Sequence, residues 1–182
     1  MTTALQAVPQ PTHGQLASKL EPTQYLTFTS DGEMFAIGIL AIKEIIEFHD
    51  LTTVPMMPAS VRGVINLRGA VVPVVDLQAR FGKQPTPVTK RTCIVIVETG
   101  ASGDSQVIGV VVDAVSEVLD IVSTDIEPSP AFGARIRTEF ICGMARVRDR
   151  FVILLSVEHV LSFDQLAELV VQGETGVPVL AP

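Results

Sequence analysis

An all-β fold of the barrel or sandwich class is predicted by three features of this sequence. Its apolar segments are short and rich in valine, which suits a pleated surface. Gly, Pro, Asp and Asn punctuate them at short intervals, giving roughly nine or ten strands. Long helical patterns do not alternate with them, so a parallel α/β sheet is disfavoured.

Residues 1–21 are polar and broken by Pro9, Pro11 and Gly14, and read as a disordered N-terminal tail. They lack the basic and apolar regions of a signal peptide. Tyr25-Leu26-Thr27-Phe28 is β-prone and ends at the turn residues Ser30-Asp31-Gly32, with Phe35 to Ile39 at hairpin distance. Ile42 to Phe48 is ambiguous. Ile42, Ile45 and Ile46 fit a helical face, whereas the density of β-branched residues favours a strand. Pro55 and Pro58 make a loop, and Ala59 to Arg62 is expected to form one helical turn after it. Val64 to Leu67 and Ala70 to Leu77 read as strands flanking a turn at Arg68-Gly69, and Leu77 to Phe81 as a short helix stopped by Gly82.

A second β-rich half follows. Thr92 to Val97 and Val107 to Val112 are strands around the turn cluster Gly100 to Asp104, and Val115 to Val122 continues or pairs with the second. Phe140 to Arg146 and Phe151 to Val157 read as a hairpin around Arg148-Asp149-Arg150. Val160, Leu161, Leu166, Leu169 and Val170 suggest a short amphipathic C-terminal helix.

The composition is globular, with 47% hydrophobic and 18% charged residues in 182. Net charge is −7 and no basic stripe occurs, which argues against nucleic acid or an anionic membrane surface as partner. No apolar run reaches the roughly 18 residues of a membrane span, so a cytoplasmic protein without membrane insertion is expected. Cys93 and Cys142 read as two buried free thiols in a reducing compartment.

Catalytic chemistry has no visible basis. His13, His49 and His159 are scattered, and neither metal-ligand spacing, a nucleophile elbow nor a phosphate loop is present. Asp76 and Asp113 end apolar strands, where aspartate usually caps or bonds a turn. Neither catalytic activity nor a cofactor is expected.

The stretch Val61-Arg62-Gly63-Val64-Ile65-Asn66-Leu67-Arg68-Gly69-Ala70-Val71-Val72-Pro73-Val74-Val75-Asp76-Leu77 resembles the signature of the CheW-like family. Its core is an Asn-Leu-Arg-Gly turn followed by an apolar strand that contains Pro and ends in Asp-Leu. Looser similarity runs through Gly109 to Leu119, and Phe35-Ala36-Ile37, Ile42 to Ile45, Ile141 to Met144 and Val152 to Leu155 occupy the expected places. The resemblance covers about Thr23 to Leu161 and implies two small SH3-like five-stranded barrels packed on a shared core. A CheW-like domain is expected over 22–163, with a first barrel at 22–90 and a second at 91–162. Strand exchange between them is left open. Residues 164–182 would be a short helix and tail.

The resemblance also implies a non-enzymatic signalling adaptor, recruited to receptor arrays at the inner membrane and monomeric when free. One surface would bind the regulatory domain of a CheA-type histidine kinase, which shares the fold. Another would bind the cytoplasmic tip of a methyl-accepting chemotaxis protein. Two alternatives stand beside this: the same module in a twitching or other kinase pathway, or a small-molecule carrier or enzyme using a groove between the barrels. The carrier would need convergent polar groups in a deep pocket.

Gly69 permits a tight turn, and Arg68 beside it projects a planar fork of five donors. Position alone allows a solvated turn arginine or an interface arginine paired with a carboxylate. An intramolecular partner would orient it, and Glu44 is the candidate. If Ile42 to Phe48 is a strand, Ile42 and Glu44 share one face and form an interface candidate. Gly63 reads either as the C-cap of the helical turn or as a point where a partner's backbone approaches. Ile94, Gly109 and Val111 are read as core residues or as a groove wall between the barrels. Asn66 and Leu67 join this interface set through the motif.

Overall fold

Three tight hairpins set the register of this chain. The computed structural model describes residues 21–100, 105–129 and 136–162. Residues 1–20 of the expected tail, and Leu166, Leu169 and Val170 of the expected C-terminal helix, lie outside the described residues.

The strands are β1 (Thr23–Ser30), β2 (Glu33–Gly38), β3 (Ile42–Glu47), β4 (Val61–Leu67), β5 (Ala70–Asp76) and β6 (Cys93–Thr99). They continue as β7 (Gln106–Val112), β8 (Ala114–Ile121), β9 (Ile126–Glu127), β10 (Ile141–Val147) and β11 (Arg150–Leu155). Two single-turn helices, α1 (Leu77–Arg80) and α2 (Val157–Val160), follow β5 and β11. The hairpin turns are Asp31-Gly32, Arg68-Gly69 and Arg148-Asp149, each with positive φ at both positions. That is the type I′ geometry, whose twist matches two paired strands.

The strands form a five-stranded sheet, β3-β6-β7-β5-β4, and a six-stranded sheet, β8-β1-β2-β11-β10-β9. Each bends round to close a barrel. The chain beyond β3 returns to β4 through paired backbone bonds between Thr52 and Val64, at 3.0 and 2.9 Å. The chain beyond β8 returns as β9 to pair with β10. The expected division near residue 90 therefore does not hold, and strand exchange is how the barrels are built. Residues 42–112 make one contiguous barrel. The N-terminal hairpin and β8 to β11 make the other, a composite. Likewise Val115 to Val122 neither continues nor pairs with β7; as β8 it joins β1. Each sheet contains one parallel pair, β5 with β7 and β2 with β11.

The two barrels repeat one plan, with β3, β6, β7, β5 and β4 corresponding to β8, β1, β2, β11 and β10. Gly63 in β4 and Gly143 in β10 each follow a register shift. A Cβ on Gly63 would lie 2.5 Å from the Thr52 carbonyl oxygen, and one on Gly143 would lie 2.5 Å from an Ile126 methyl. Gly63 is thus not a helix cap. It lies inside a strand at φ +153, where the returning chain presses on the barrel wall. The expected helical turn at Ala59 to Arg62 is a hydrogen-bonded turn, Val61 N–H to Pro58 C=O at 2.8 Å, and β4 starts at Val61. Sheet closure claims these residues before a helix can propagate.

The largest core lies between the barrels, where Leu26, Phe28, Phe35 and Ile37 of one sheet meet Val75, Val95, Val97, Ile108, Val110 and Val112 of the other. Each barrel also has an interior, built on Ile65, Val72, Val74, Ile94, Ile96 and Val111 in the contiguous one. Strands β6 and β7 therefore bury both faces, which explains their continuous apolar runs. The buried Arg80 links the barrels, donating from Nε to the Val160 carbonyl at 2.8 Å over the Phe140 ring. Burial, and then Arg137, lowers its affinity for a proton, but an arginine keeps its charge. The cysteines depart from expectation. Both are free, but Cys93 is half-buried and Cys142 exposed, because the irregularity between Ile141 and Gly143 turns Cys142 outward.

Candidate functional site

The β4–β5 hairpin assembles most of the residues singled out in the sequence. Leu67 pairs with Ala70, so Arg68 and Gly69 form the two-residue turn at φ +51 and +86. Asn66 fixes it, its Oδ1 accepting the Gly69 N–H at 2.8 Å. Arg68 then reaches across to β3 and donates from Nη1 and Nη2 to the two carboxylate oxygens of Glu44, at 2.8 and 3.0 Å. This is the intramolecular partner expected from the sequence. The fork-to-fork geometry orients the guanidinium while its side chain stays 78% exposed. Val71, next on the hairpin, is 72% exposed, so a cation, a carboxylate and an apolar side chain share one rim.

Ile42 and Glu44 do not share a face. The β3–β6 ladder slips between them, so Ile42 lies opposite Val97 and Glu44 opposite Ile96. Opposed residues share a face, and Val97 and Ile96 belong to different cores. Ile42 accordingly packs on the core between the barrels, and Glu44 stands at the mouth of the contiguous barrel. The strand alternative for this segment is the correct one.

Ile94, Gly109 and Val111 lie away from the rim. Ile94 and Val111 are fully buried inside the contiguous barrel, and a Cβ on Gly109 would meet Ile94 at 2.8 Å. Cross-strand packing inside the barrel consumes them, and they form no groove wall. Nor is there a deep polar pocket between the barrels. The apolar gap beside Ile37, Leu77 and Val110 measures about 10 Å³, the space of one water.

The motif's last residue, Asp76, is fully buried. Its Oδ1 accepts from Ala79 N–H at 3.2 Å, capping α1, and from Thr86 Oγ1 at 2.9 Å. Its Oδ2 accepts from Arg62 Nη1 at 2.6 Å and Thr86 N–H at 2.8 Å. The capping role expected of a strand-end aspartate is what it performs. Asp113 accepts from Asp31 N–H and Gln78 Nε2, both at 2.8 Å, and ties the first hairpin to α1.

A CheW-like domain family model matches residues 24–165. The chain belongs to the CheW-like family. The chemotaxis protein CheW of Klebsiella aerogenes is 33% identical over 156 residues, 86% of this chain and 92% of that protein. The chemotaxis protein CheW of Rhizobium meliloti is also 33% identical, over 78% of this chain and 89% of that one. Protein FrzA of Myxococcus xanthus is 30% identical over 72% of this chain and 79% of its own length. The crystal structure of the scaffolding protein TtCheW from Thermoanaerobacter tengcongensis overlays with a TM-score of 0.69 at 33% identity, covering 78% of this chain and 88% of that one. The paired sheets are thus the two SH3-like barrels of the CheW-like fold.

Within that fold, sequence reading missed the counterpart of the Arg68 rim. Arg148, at φ +48 in the β10–β11 turn, donates from Nη1 to Glu117 of β8 at 3.2 Å. Phe151, placed as Val71 is, is 55% exposed. A self-comparison of the sequence would have revealed it, since Gly63, Arg68 and Val72 recur at constant spacing as Gly143, Arg148 and Val152.

Proposed function

We propose that this chain is a non-enzymatic cytoplasmic adaptor. It couples the cytoplasmic tips of methyl-accepting chemoreceptors to a CheA-type histidine kinase, and is recruited to receptor arrays through them. Membership of the CheW-like family supports the adaptor role. No helix among the described residues is long and apolar enough to cross a membrane.

The observation that carries the site is the Arg68 rim: an exposed guanidinium, held by Glu44 on a rigid type I′ turn beside exposed Val71. A preset arginine next to an apolar anchor is the composition of an interface hot spot. Ile42, Asn66, Leu67, Gly63 and Gly69 support this surface from behind by setting the strand and turn. A micromolar complex requires about −8 kcal/mol, within reach of a modest interface. Holding kinase and receptor together raises their local concentration.

The test is calorimetric titration of the monomeric chain with the CheA-type kinase of its host, for wild type and Arg68→Ala. Saturable one-to-one binding, weakened by the substitution with the melting temperature nearly unchanged, is expected. A well-folded wild type that does not bind would refute the kinase contact.

A further inference from the structure

The Arg68 guanidinium enters any contact already engaged on one side. Nη1 donates to Oε1 of Glu44 at 2.8 Å and Nη2 to Oε2 at 3.0 Å. Of the five N–H donors of an arginine, this end-on grip uses two. Nε–H and the outer hydrogens of both Nη atoms are left for a partner. The Glu44 side chain is only 26% exposed against 78% for Arg68, so the carboxylate stands behind the cation.

We propose that the kinase meets Arg68 with neutral hydrogen-bond acceptors (backbone carbonyls, side-chain amides or hydroxyls) and not with a carboxylate, and that Glu44 is the positioning residue for this contact. The inference rests on the reading of the Arg68 rim as the kinase-binding surface.

Charge decides between the two kinds of acceptor. A partner carboxylate about 4 Å from the guanidinium would lie roughly 6 Å from the Glu44 carboxylate, and Coulomb energy falls inversely with distance, so repulsion cancels about two thirds of the attraction. The cost of stripping water from the incoming carboxylate is not reduced in proportion. The chain's net charge of −7 has the same sign and opposes it further. A neutral acceptor loses far less hydration and still gains a charge-assisted hydrogen bond. The apolar neighbour Val71, 72% exposed, also suits a contact whose centre is depleted of unpaired charge. Asn66 and the left-handed turn hold the presented donors in a fixed plane, so their direction selects the acceptors.

The test uses the full chain and the full-length kinase, with wild type, Arg68→Ala and Glu44→Gln titrated by calorimetry and each variant melted in parallel. Arg68→Ala first checks the reading beneath: an unchanged Kd means that Arg68 is not at the kinase contact, and the inference falls with it. Where Arg68→Ala weakens binding, the sign of the Glu44→Gln effect decides. Release of the guanidinium is expected to raise Kd by about tenfold, close to the Arg68→Ala value. Tighter binding, as follows from removing a competing carboxylate, overturns the proposal, and so does an unchanged Kd. A salt series needs no Glu44 variant. The ratio of Kd values between wild type and Arg68→Ala is expected to be the same at about 50 and about 500 mM salt. A ratio that collapses at high salt identifies a charged partner group and refutes neutral recognition.

Discussion

Replacing Asp76 by alanine removes one buried carboxylate and orphans four donors at once. Thr86 is almost fully buried, so its N–H and Oγ1–H lose the partners they hold at 2.8 and 2.9 Å and gain no water. The cap on α1 is lost as well, worth about 1 kcal/mol. An orphaned buried N–H costs about 1–3 kcal/mol, and breaking a buried ion pair about 3–5 kcal/mol. These figures describe the same atoms and do not add. Arg62, whose side chain is 24% exposed, can turn its charge to water, which puts the loss near the low end, at about 3 kcal/mol. Against a total stability of about 5–15 kcal/mol that is a large fraction. The assay is urea unfolding followed by far-ultraviolet circular dichroism, since the chain has no Trp and one Tyr. The midpoint should fall with an unchanged slope. Asp76→Asn should not rescue it, because an amide NH2 in place of Oδ2 would face the two donors of Arg62 and Thr86. A loss under about 1 kcal/mol for the alanine variant, or full rescue by asparagine, would refute the reasoning.

Three further outcomes follow from the barrel architecture. Val111→Asp places an unpaired charge in the contiguous barrel's interior and should cost several kcal/mol; a stable variant would mean that β7 is not buried on that face. Gly63→Ala should destabilise by roughly 2 kcal/mol or more, since its Cβ would strike the Thr52 carbonyl at a positive φ. Gly143→Ala should cost clearly less, because the nearest atom is a side-chain methyl that can swing away; chemical denaturation of both variants gives the order, and a reversed order would undo the closure argument.

Turn chemistry made much of the site legible. Arg68-Gly69 and Asp31-Gly32 read as turns from residue type, and the structure places type I′ hairpins there. The Glu44 partner for Arg68 was also within reach, because one apolar strand offered one inward carboxylate near the motif. Asp76 read as a capping group from its place at a strand end. The facing of Ile42 and Glu44 was not legible, since a ladder slip leaves no local mark and moves every residue beyond it to the other side. Gly63 was misread for a similar reason. A glycine after three helix-compatible residues looks like a cap until Thr52, distant along the chain's path, is seen to press on it.

By itself the sequence determined the β class, most strand positions, the hairpin turns, the lack of recognisable catalytic motifs and the resemblance to the CheW-like family. These rest on signals that act over a few residues: side-chain branching, φ preference, and the donors and acceptors of a turn. The tertiary structure alone decided which strand belongs to which barrel. Strand β1 pairs with β8, and β2 with β11, across most of the chain. Valine-rich strands with two apolar faces are chemically interchangeable as partners, so no local preference distinguishes one pairing from another. Only the joint burial of all their faces, in two barrel interiors and one shared core, selects the arrangement that puts Arg68 against Glu44.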